Sequence, residues 1–356
     1  MNSSLFDAAR VLIPFVAAFV IGVTISPLVA HYLYKYKAWK KKGGKGKGMG
    51  DDTGTPLFDT LHKEREVSTP RMGGIVVWGA TLITACLAML VSYIIGGPFS
   101  DLDFVNREQT WLPLFALLVG AVVGLVDDIL EVSKSTGGLR LRWRLIVVAL
   151  LATFSGWWFY AKLGVSSVGL PFIGPVELGS FFILFFVLVT LAIYAGGIID
   201  GIDGLAGGIF AFIFMAYAAI AFAQNQISLA AFAATVAGAL FAFLWFNIPP
   251  ARFYLSETGT MALTVALSIT AFSADVLGDG VGVAVLPIIA LPLTITVATS
   301  ALQVISKKVF KRKLFRIAPI HHHFEAIGWP AYKVTMRYWV ITIFAGIFGI
   351  AVALLQ

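Results

Sequence analysis

The sequence predicts an all-α polytopic integral membrane protein with about ten transmembrane helices, and three observations support this fold class. Of the 356 residues, 59% are hydrophobic and only 13% are charged, whereas soluble domains carry about 25% charged residues. Long apolar runs recur along the whole chain, and lysine and arginine collect in alternate loops. Because backbone hydrogen bonds must close within each segment in lipid, helices are the expected spanning form.

Ten apolar runs approach the roughly 20 residues that a helix needs to cross a bilayer. In chain order they are 11–33, 73–95, 111–126, 145–160, 181–199, 207–223, 227–248, 260–277, 281–305 and 338–355. The first is interpreted as a retained span, because no small-residue cleavage site follows a short apolar core. Between the fourth and fifth spans, residues 164–179 alternate in short runs broken by Gly and Pro, which favours a small β-hairpin. We expect one membrane domain over 1–356.

The loop charges predict the orientation. Loops that follow odd-numbered spans hold 23 of the 26 Lys and Arg residues, within 34–72, 127–144, 249–258 and 306–337. The positive-inside rule then places these loops in the cytoplasm and both termini outside. The net charge of +7 is therefore interpreted as topological, and no nucleic acid partner is expected. The first of these loops includes a Lys/Gly-rich segment expected to be flexible, and the last carries the sequence "PIHHHFE".

With sidedness fixed, the unusual polar residues share one face. Acids occur at the cytoplasmic ends of spans 3 and 5 and at the start of span 8, and three histidines occur in the last cytoplasmic loop. They are Asp127, Asp128, Asp200, Asp203, Glu257, His321, His322 and His323. Ionisable groups at membrane depth are expensive and usually functional. We therefore expect an active site on the cytoplasmic face.

Each of these features also has a simpler interpretation. Adjacent acids at a helix end can be solvated, and Glu257 alone could be stabilised by the helix dipole. The "DGIDG" stretch resembles part of a calcium loop but lacks the distal Glu of an EF-hand. Three consecutive histidines cannot all aim at one metal from regular backbone, which favours polar anchors for an anionic group. The joint arrangement, rather than any single residue, indicates function.

Several carboxylates beside basic residues suit phosphoryl transfer. Hard oxygen ligands select Mg²⁺, which keeps waters and bridges substrate phosphates. Four arginines can neutralise phosphate oxygens: Arg71, Arg140, Arg142 and Arg144. The pattern predicts transfer between a soluble diphosphate and an acceptor embedded in membrane lipid, with catalysis mainly by positioning and charge neutralisation.

Six stretches carry a resemblance to a known family and together cover nearly the whole chain. In order they read "TPRMGG", "VDD", "GLRLRWR", "DGIDGLAGG", "WFNIPPARFYLSETGTMAL" and "APIHHHFEAIGWP". The chain thereby resembles the bacterial phospho-N-acetylmuramoyl-pentapeptide transferases. The resemblance implies transfer of phospho-MurNAc-pentapeptide from UDP-MurNAc-pentapeptide to undecaprenyl phosphate, giving lipid I and UMP. It also implies Mg²⁺, a multi-pass location in the bacterial inner membrane and a homodimer.

The resemblance also assigns roles by position. It implies that Asp127 and Asp128 act on the lipid phosphate. Glu257 and His321 are the further catalytic residues. Glu257 falls at the family's metal-binding Asp, with Asp200 as a second metal ligand. Eight residues are implied to bind substrate, so Asp200 has both roles. They are Arg71, Arg144, Asp200, Asp203, Asn247, Tyr254, His322 and His323. Among these, Tyr254 matches an aromatic residue that stacks on uracil, and Asn247 matches a polar residue of the same cleft.

The sequence departs from the family pattern in the cleft itself. Tyr194 and Gly197 stand where the family has Asn, and Ser256 and Glu257 stand where it has Gly and Asp. Arg71 is more typical of sister enzymes that transfer GlcNAc-1-phosphate, which makes such a transferase the main alternative. An inactive homologue and an ion-coupled transporter are the others, although a transporter would place its acids near mid-span.

Overall fold

The computed structural model describes residues 3–41, 66–106, 109–133, 137–276 and 280–355. Within these ranges the chain forms twelve α-helices and one hairpin. The helices are α1 Ser3–Lys35, α2 Gly74–Ile95, α3 Trp111–Ser133, α4 Leu141–Lys162, α5 Phe181–Gly196, α6 Leu205–Ala223, α7 Ile227–Asn247, α8 Ser256–Val276, α9 Leu286–Ile289, α10 Leu291–Phe310, α11 Ile320–Ala326 and α12 Ala331–Leu354. Short 3₁₀ turns cover Gly97–Leu102 and Gly197–Ile199.

The predicted hairpin is confirmed. Strands β1 (Ser167–Leu170) and β2 (Gly174–Glu177) pair antiparallel, with Val168 opposite Val176. It lies on the connection between α4 and α5, where the Gly169 amide donates to Asp275 at 3.2 Å. The Lys/Gly segment of the first basic loop lies outside the described residues.

Eight described helices, α1 to α7 and α12, are long and apolar enough to cross a membrane. They confirm a multi-pass all-α membrane protein. Helices α8 and α10 occupy the predicted eighth and ninth spans but do not belong to these eight, so ten spans and their orientation stay predictions.

Several predicted boundaries were wrong, among them the start of the first span at 11, since α1 already begins at Ser3. The single span at 281–305 is divided into α9 and α10, because Pro287 and Pro292 each lie in the first turn of a helix, where a proline needs no amide hydrogen bond. Helix α3 continues beyond 126 to Ser133, so Asp127 and Asp128 lie within its last two turns. The predicted loop at 306–337 is shorter, because polar turns extend α10 to Phe310 and begin α12 at Ala331.

The centre of the bundle is formed by α6, α7 and α8, whose side chains are almost all buried. Helix α7 packs against α1 and α6, α8 packs against α3, and α12 packs on α6. Because these three helices contact protein on nearly every side, their apolar residues are not confined to one face. The acid-bearing helix ends are fixed by this packing.

Glycines bring the first turns of α8 close to α2 and α3. A Cβ atom at Gly74 would overlap the backbone of Gly259, and one at Gly124 would overlap the Glu257 carbonyl oxygen. Gly120 lies against Ala262, one turn further along the same contact. Small residues at such crossings allow close backbone approach. They set the position of Glu257 relative to Asp127 and Asp128.

Replacing Gly124 with alanine is therefore expected to lower the free energy of unfolding by about 1–3 kcal/mol, because the added methyl group overpacks against the α8 backbone. The matched control is Gly79→Ala in α2, where the new Cβ would lie 3.7 Å from Ile25 Cδ1. There the higher helix propensity of alanine should leave stability equal or slightly greater. Thermal unfolding of the purified proteins in detergent measures both, and equal midpoints would contradict the close contact.

Candidate active site

The acids predicted at separate helix ends converge, and Ser256 is their junction. The Ser256 hydroxyl donates to Asp128 Oδ2 at 2.8 Å, and the Ser256 amide donates to Asp200 Oδ2 at 2.7 Å. Ser256 has a φ of +52°, a conformation that is uncommon for residues other than glycine. One residue at the start of α8 therefore joins the end of α3 to the loop before α6.

Asp128 is fully buried, and its carboxylate is saturated with donors. Besides Ser256, the Thr258 amide donates to Oδ2 at 2.9 Å and the Thr258 hydroxyl donates to the same atom at 2.6 Å. Arg71 Nε donates to Oδ1 at 3.3 Å. These hydrogen bonds join Asp128 to the first turn of α8, and Asp128 therefore organises the start of that helix.

Asp127 and Glu257 lie on either side of Arg144. Asp127 accepts a hydrogen bond from the Leu139 amide, and its Oδ2 lies 3.6 Å from Arg144 Nη1. The same Nη1 donates to Glu257 Oε1, and the Tyr194 hydroxyl donates to Glu257 Oε2 at 3.4 Å. Arginine and tyrosine therefore engage both oxygens of the Glu257 carboxylate.

A second group of ion pairs, formed by Arg71, Lys40 and two glutamates, lies next to this network. Arg71 Nη2 lies 2.9 Å from Glu131, and Lys40 lies between Glu131 at 3.0 Å and Glu66 at 3.2 Å. Burial alone would lower the pKa of Arg71, but the carboxylates of Asp128 and Glu131 outweigh it and raise that pKa above its usual value. Arg71 is therefore a permanent cation beside Asp128.

Residues that were predicted to bind substrate hold the loop 200–204 in place through hydrogen bonds. Asp203 accepts from the Ala251 amide at 3.2 Å. Asn247 Oδ1 accepts from the Gly204 amide at 2.9 Å, and its Nδ2 donates to the Phe253 carbonyl at 2.8 Å. Burial raises the pKa of Asp200, to about 6. Asn247 therefore links the loop 200–204 to the loop that contains Phe253.

Tyr254 lies where the first and fifth motifs of the sequence meet. Its amide donates to the Pro70 carbonyl at 2.8 Å, and its carbonyl accepts from the Gly73 amide at 2.7 Å. The Met72 amide donates to Ser256 Oγ at 2.8 Å. This pairing brings Arg71 to Asp128 and leaves the Tyr254 side chain half-buried.

The three histidines divide into two groups. His321 and His322 are buried, and His322 Nδ1 lies 2.8 Å from Glu325 Oε2. A Cβ atom at Gly201 would lie 2.6 Å from His322 Nε2, so this imidazole contacts the Asp200–Asp203 loop. His323 Nδ1 instead accepts from the Arg316 amide at 3.2 Å. The structure therefore joins His321 and His322, but not His323, to the acidic loop.

Sequence reasoning missed several contributors to the site: Lys40, Glu131 and Thr258. Glu131 follows Asp128 by three residues in the same helix, a spacing that places both side chains on one face. That signal was available in the sequence. Lys40 and Thr258 contact these acids only through the tertiary fold.

The donor set fits Mg²⁺ by its chemistry, because Asp and Glu oxygens are the ligands this ion prefers. Glu257 and Asp200 would hold it. In the present arrangement Glu257 pairs with Arg144 and Tyr194, and Asp200 accepts from Ser256. Among the described residues, no group of three or more His, Cys, Asp or Glu side chains is arranged to hold a metal ion.

Residues 110–275, which contain most of this network, match the family model described as glycosyl transferase family 4. The fold and this family match together indicate a membrane-spanning phospho-sugar transferase. Three curated relatives extend the match over nearly the whole chain, and each is named a phospho-N-acetylmuramoyl-pentapeptide-transferase. The protein from Latilactobacillus sakei is 32% identical, covering 93% of this chain and 95% of its own. That from Chloroflexus aurantiacus is 31% identical (98% and 91%), and that from Clostridium perfringens is 28% identical (94% and 94%). The chain belongs to the phospho-N-acetylmuramoyl-pentapeptide transferase family.

Proposed function

We propose that this protein transfers phospho-MurNAc-pentapeptide from UDP-MurNAc-pentapeptide to undecaprenyl phosphate in the bacterial inner membrane, giving lipid I and UMP for peptidoglycan synthesis. The observation that carries the proposal is the single network formed by Asp127, Asp128, Asp200 and Glu257 with two arginines. The relatives' shared name supports the same substrates. A homodimer remains an expectation from the family resemblance.

The two adjacent acids have different environments, and this supports different roles. Asp128 accepts from Ser256, from Thr258 twice and from Arg71, so the lone pairs of its carboxylate are largely occupied. Asp127 accepts one backbone hydrogen bond and has a longer contact to Arg144. Asp127 is therefore the residue proposed to take a proton from the acceptor phosphate. Asp128 holds Ser256, and through it the start of α8, in place.

The cationic residues would stabilise charge on the donor diphosphate. Arg144 lies between Asp127 and Glu257, where its guanidinium can reach a phosphate bound next to either acid. When bound at Glu257 and Asp200, Mg²⁺ would supply further neutralisation of the developing negative charge. Arg71 is held between Asp128 and Glu131, which makes it a support for the network rather than a reader of the sugar. Its presence therefore does not favour the GlcNAc-1-phosphate alternative.

A reconstituted assay tests the proposed function. Purified protein is supplied with undecaprenyl phosphate and either UDP-MurNAc-pentapeptide or UDP-GlcNAc, and the lipid product is identified by mass spectrometry. We expect product from the pentapeptide donor, its loss with EDTA and its return with Mg²⁺. Product from UDP-GlcNAc alone would contradict the proposal and support the sister activity.

A further inference from the structure

The interaction of Arg144 with Glu257 suggests a role beyond holding substrate. Glu257 is the residue proposed to hold the divalent cation, yet both of its carboxylate oxygens are engaged, one by Arg144 and the other by Tyr194. A guanidinium and a metal ion at the same carboxylate repel each other, and they compete for lone pairs where both approach the same oxygen.

We propose that Arg144 is a built-in competitor of the divalent cation at Glu257, and that it leaves this carboxylate for a substrate phosphate when the site is loaded. The inference rests on the proposed function, because it takes Glu257 as a cation ligand and a diphosphate as the incoming anion. Cation binding and phosphate binding are then coupled through one side chain.

The bonding of Arg144 shows why its present position is incomplete. Guanidinium carries five N–H donors. Its Nη1 is shared between Glu257 and Asp127, with the Asp127 contact at 3.6 Å. Its Nε is buried and has no hydrogen-bond partner among the described residues. A buried donor without a partner is destabilising, and a phosphate provides two oxygens that can accept a bidentate pair of hydrogen bonds from the guanidinium.

The burial of the pair makes the competition strong. The side chains of Arg144 and Glu257 are each 23% exposed, so water screens their interaction only partly. Tyr194, which is 7% exposed, does not compete in the same way, because its hydroxyl is neutral and bonds to the second oxygen. Tyr194 is a positioning residue that keeps the carboxylate oriented after Arg144 leaves.

The test is equilibrium binding of Mn²⁺, measured by electron paramagnetic resonance on the purified protein in detergent at pH 8 without substrate. Arg144→Gln is expected to bind Mn²⁺ about tenfold or more tightly than the unmodified protein, which corresponds to about 1.4 kcal/mol. Arg144→Lys keeps the competing charge and should bind Mn²⁺ more weakly than Arg144→Gln. Unchanged or weaker binding by Arg144→Gln would overturn the inference.

The matched control is Arg142→Gln. Arg142 is exposed on the same helix, two residues away, with its guanidinium 5.5 Å from the centre of the Trp143 ring. The Arg142→Gln substitution removes the same charge, but from solvent-exposed surface, where salt screens that charge. The affinity for Mn²⁺ should therefore change by less than about twofold. A tenfold change in this control would assign the effect to net charge and overturn the specific competition. Thermal unfolding of each variant confirms that folded protein is compared.

The outcome is separable from that of the transferase assay. Failure of the unmodified protein to make any lipid product, with tighter Mn²⁺ binding by Arg144→Gln, would reject the proposed function and retain the competition. Lipid product from the unmodified protein, with no gain in Mn²⁺ affinity in Arg144→Gln, would reject the competition alone.

Discussion

Replacing Asp128 with asparagine is expected to abolish transfer and to lower the free energy of unfolding by about 3–5 kcal/mol, the range observed when one partner of a buried ion pair is removed. The Asp128 carboxylate is buried and accepts from Ser256, from Thr258 and from Arg71. The NH₂ group of an asparagine would face at least one of these donors and could not accept its hydrogen bond. Arg71 would also lose the carboxylate that neutralises its charge. Turnover and thermal unfolding in detergent measure the two effects.

Thr258→Val provides the comparison for this variant. It removes one hydroxyl donor and keeps the Thr258 amide that also bonds to Asp128. Its loss of stability should be about 0.5–1.5 kcal/mol, the usual net contribution of one hydrogen bond. If Asp128→Asn were as stable as the unmodified protein, Asp128 would not organise the start of α8.

Replacing Glu257 with glutamine is expected to lower kcat by about 10²–10³-fold, the scale found when one group that stabilises transition-state charge is removed. Glutamine keeps the size of the side chain and an oxygen that can accept from Arg144 or Tyr194, but it lacks the negative charge. The variant should therefore fold while losing its cation ligand. Steady-state kinetics at saturating Mg²⁺ measure the change.

Glu257→Asp is the control that separates charge from length. It restores the carboxylate at the chain length found in the wider family, and we expect measurable turnover from it. Full turnover by Glu257→Gln would show that the charge at this position is not needed. Loss of turnover in both variants would show that the reach of the glutamate side chain is essential here.

Much of the fold could be predicted because apolar runs near 20 residues mark helices in lipid directly. The missed boundaries have local causes. Prolines at positions 287 and 292 divide a run that is continuous in hydropathy. The end of α3 is polar, and its helical hydrogen bonds continue through Asp127 and Asp128 although hydropathy falls there.

Convergence of the acids was predictable from sidedness, whereas their hydrogen bonds were not. Loop charges indicate which helix ends share a face, and the structure brings Asp127, Asp128, Asp200 and Glu257 together as expected. The role of Ser256 as junction depends on its contact with Asp128, which lies 128 residues earlier. Such a contact follows from packing of α8 against α3, which no local pattern encodes.

The pairing of Arg144 with Glu257 shows the same limit. The resemblance implies a cation ligand at position 257 and a cationic side chain at position 144, but it does not reveal that they bond to each other. The separation of His323 from His321 and His322 likewise depends on how α11 is oriented. Sequence indicates which groups are present, and the fold determines which of them meet.

The central claim is that the network around Glu257 is the reaction centre, and the most direct measurement is an anomalous difference map from crystals soaked in Mn²⁺. We expect a peak at the Glu257 carboxylate, with Arg144 displaced from Glu257. A peak confined to the histidines of α11, or to residues outside this network, would contradict it.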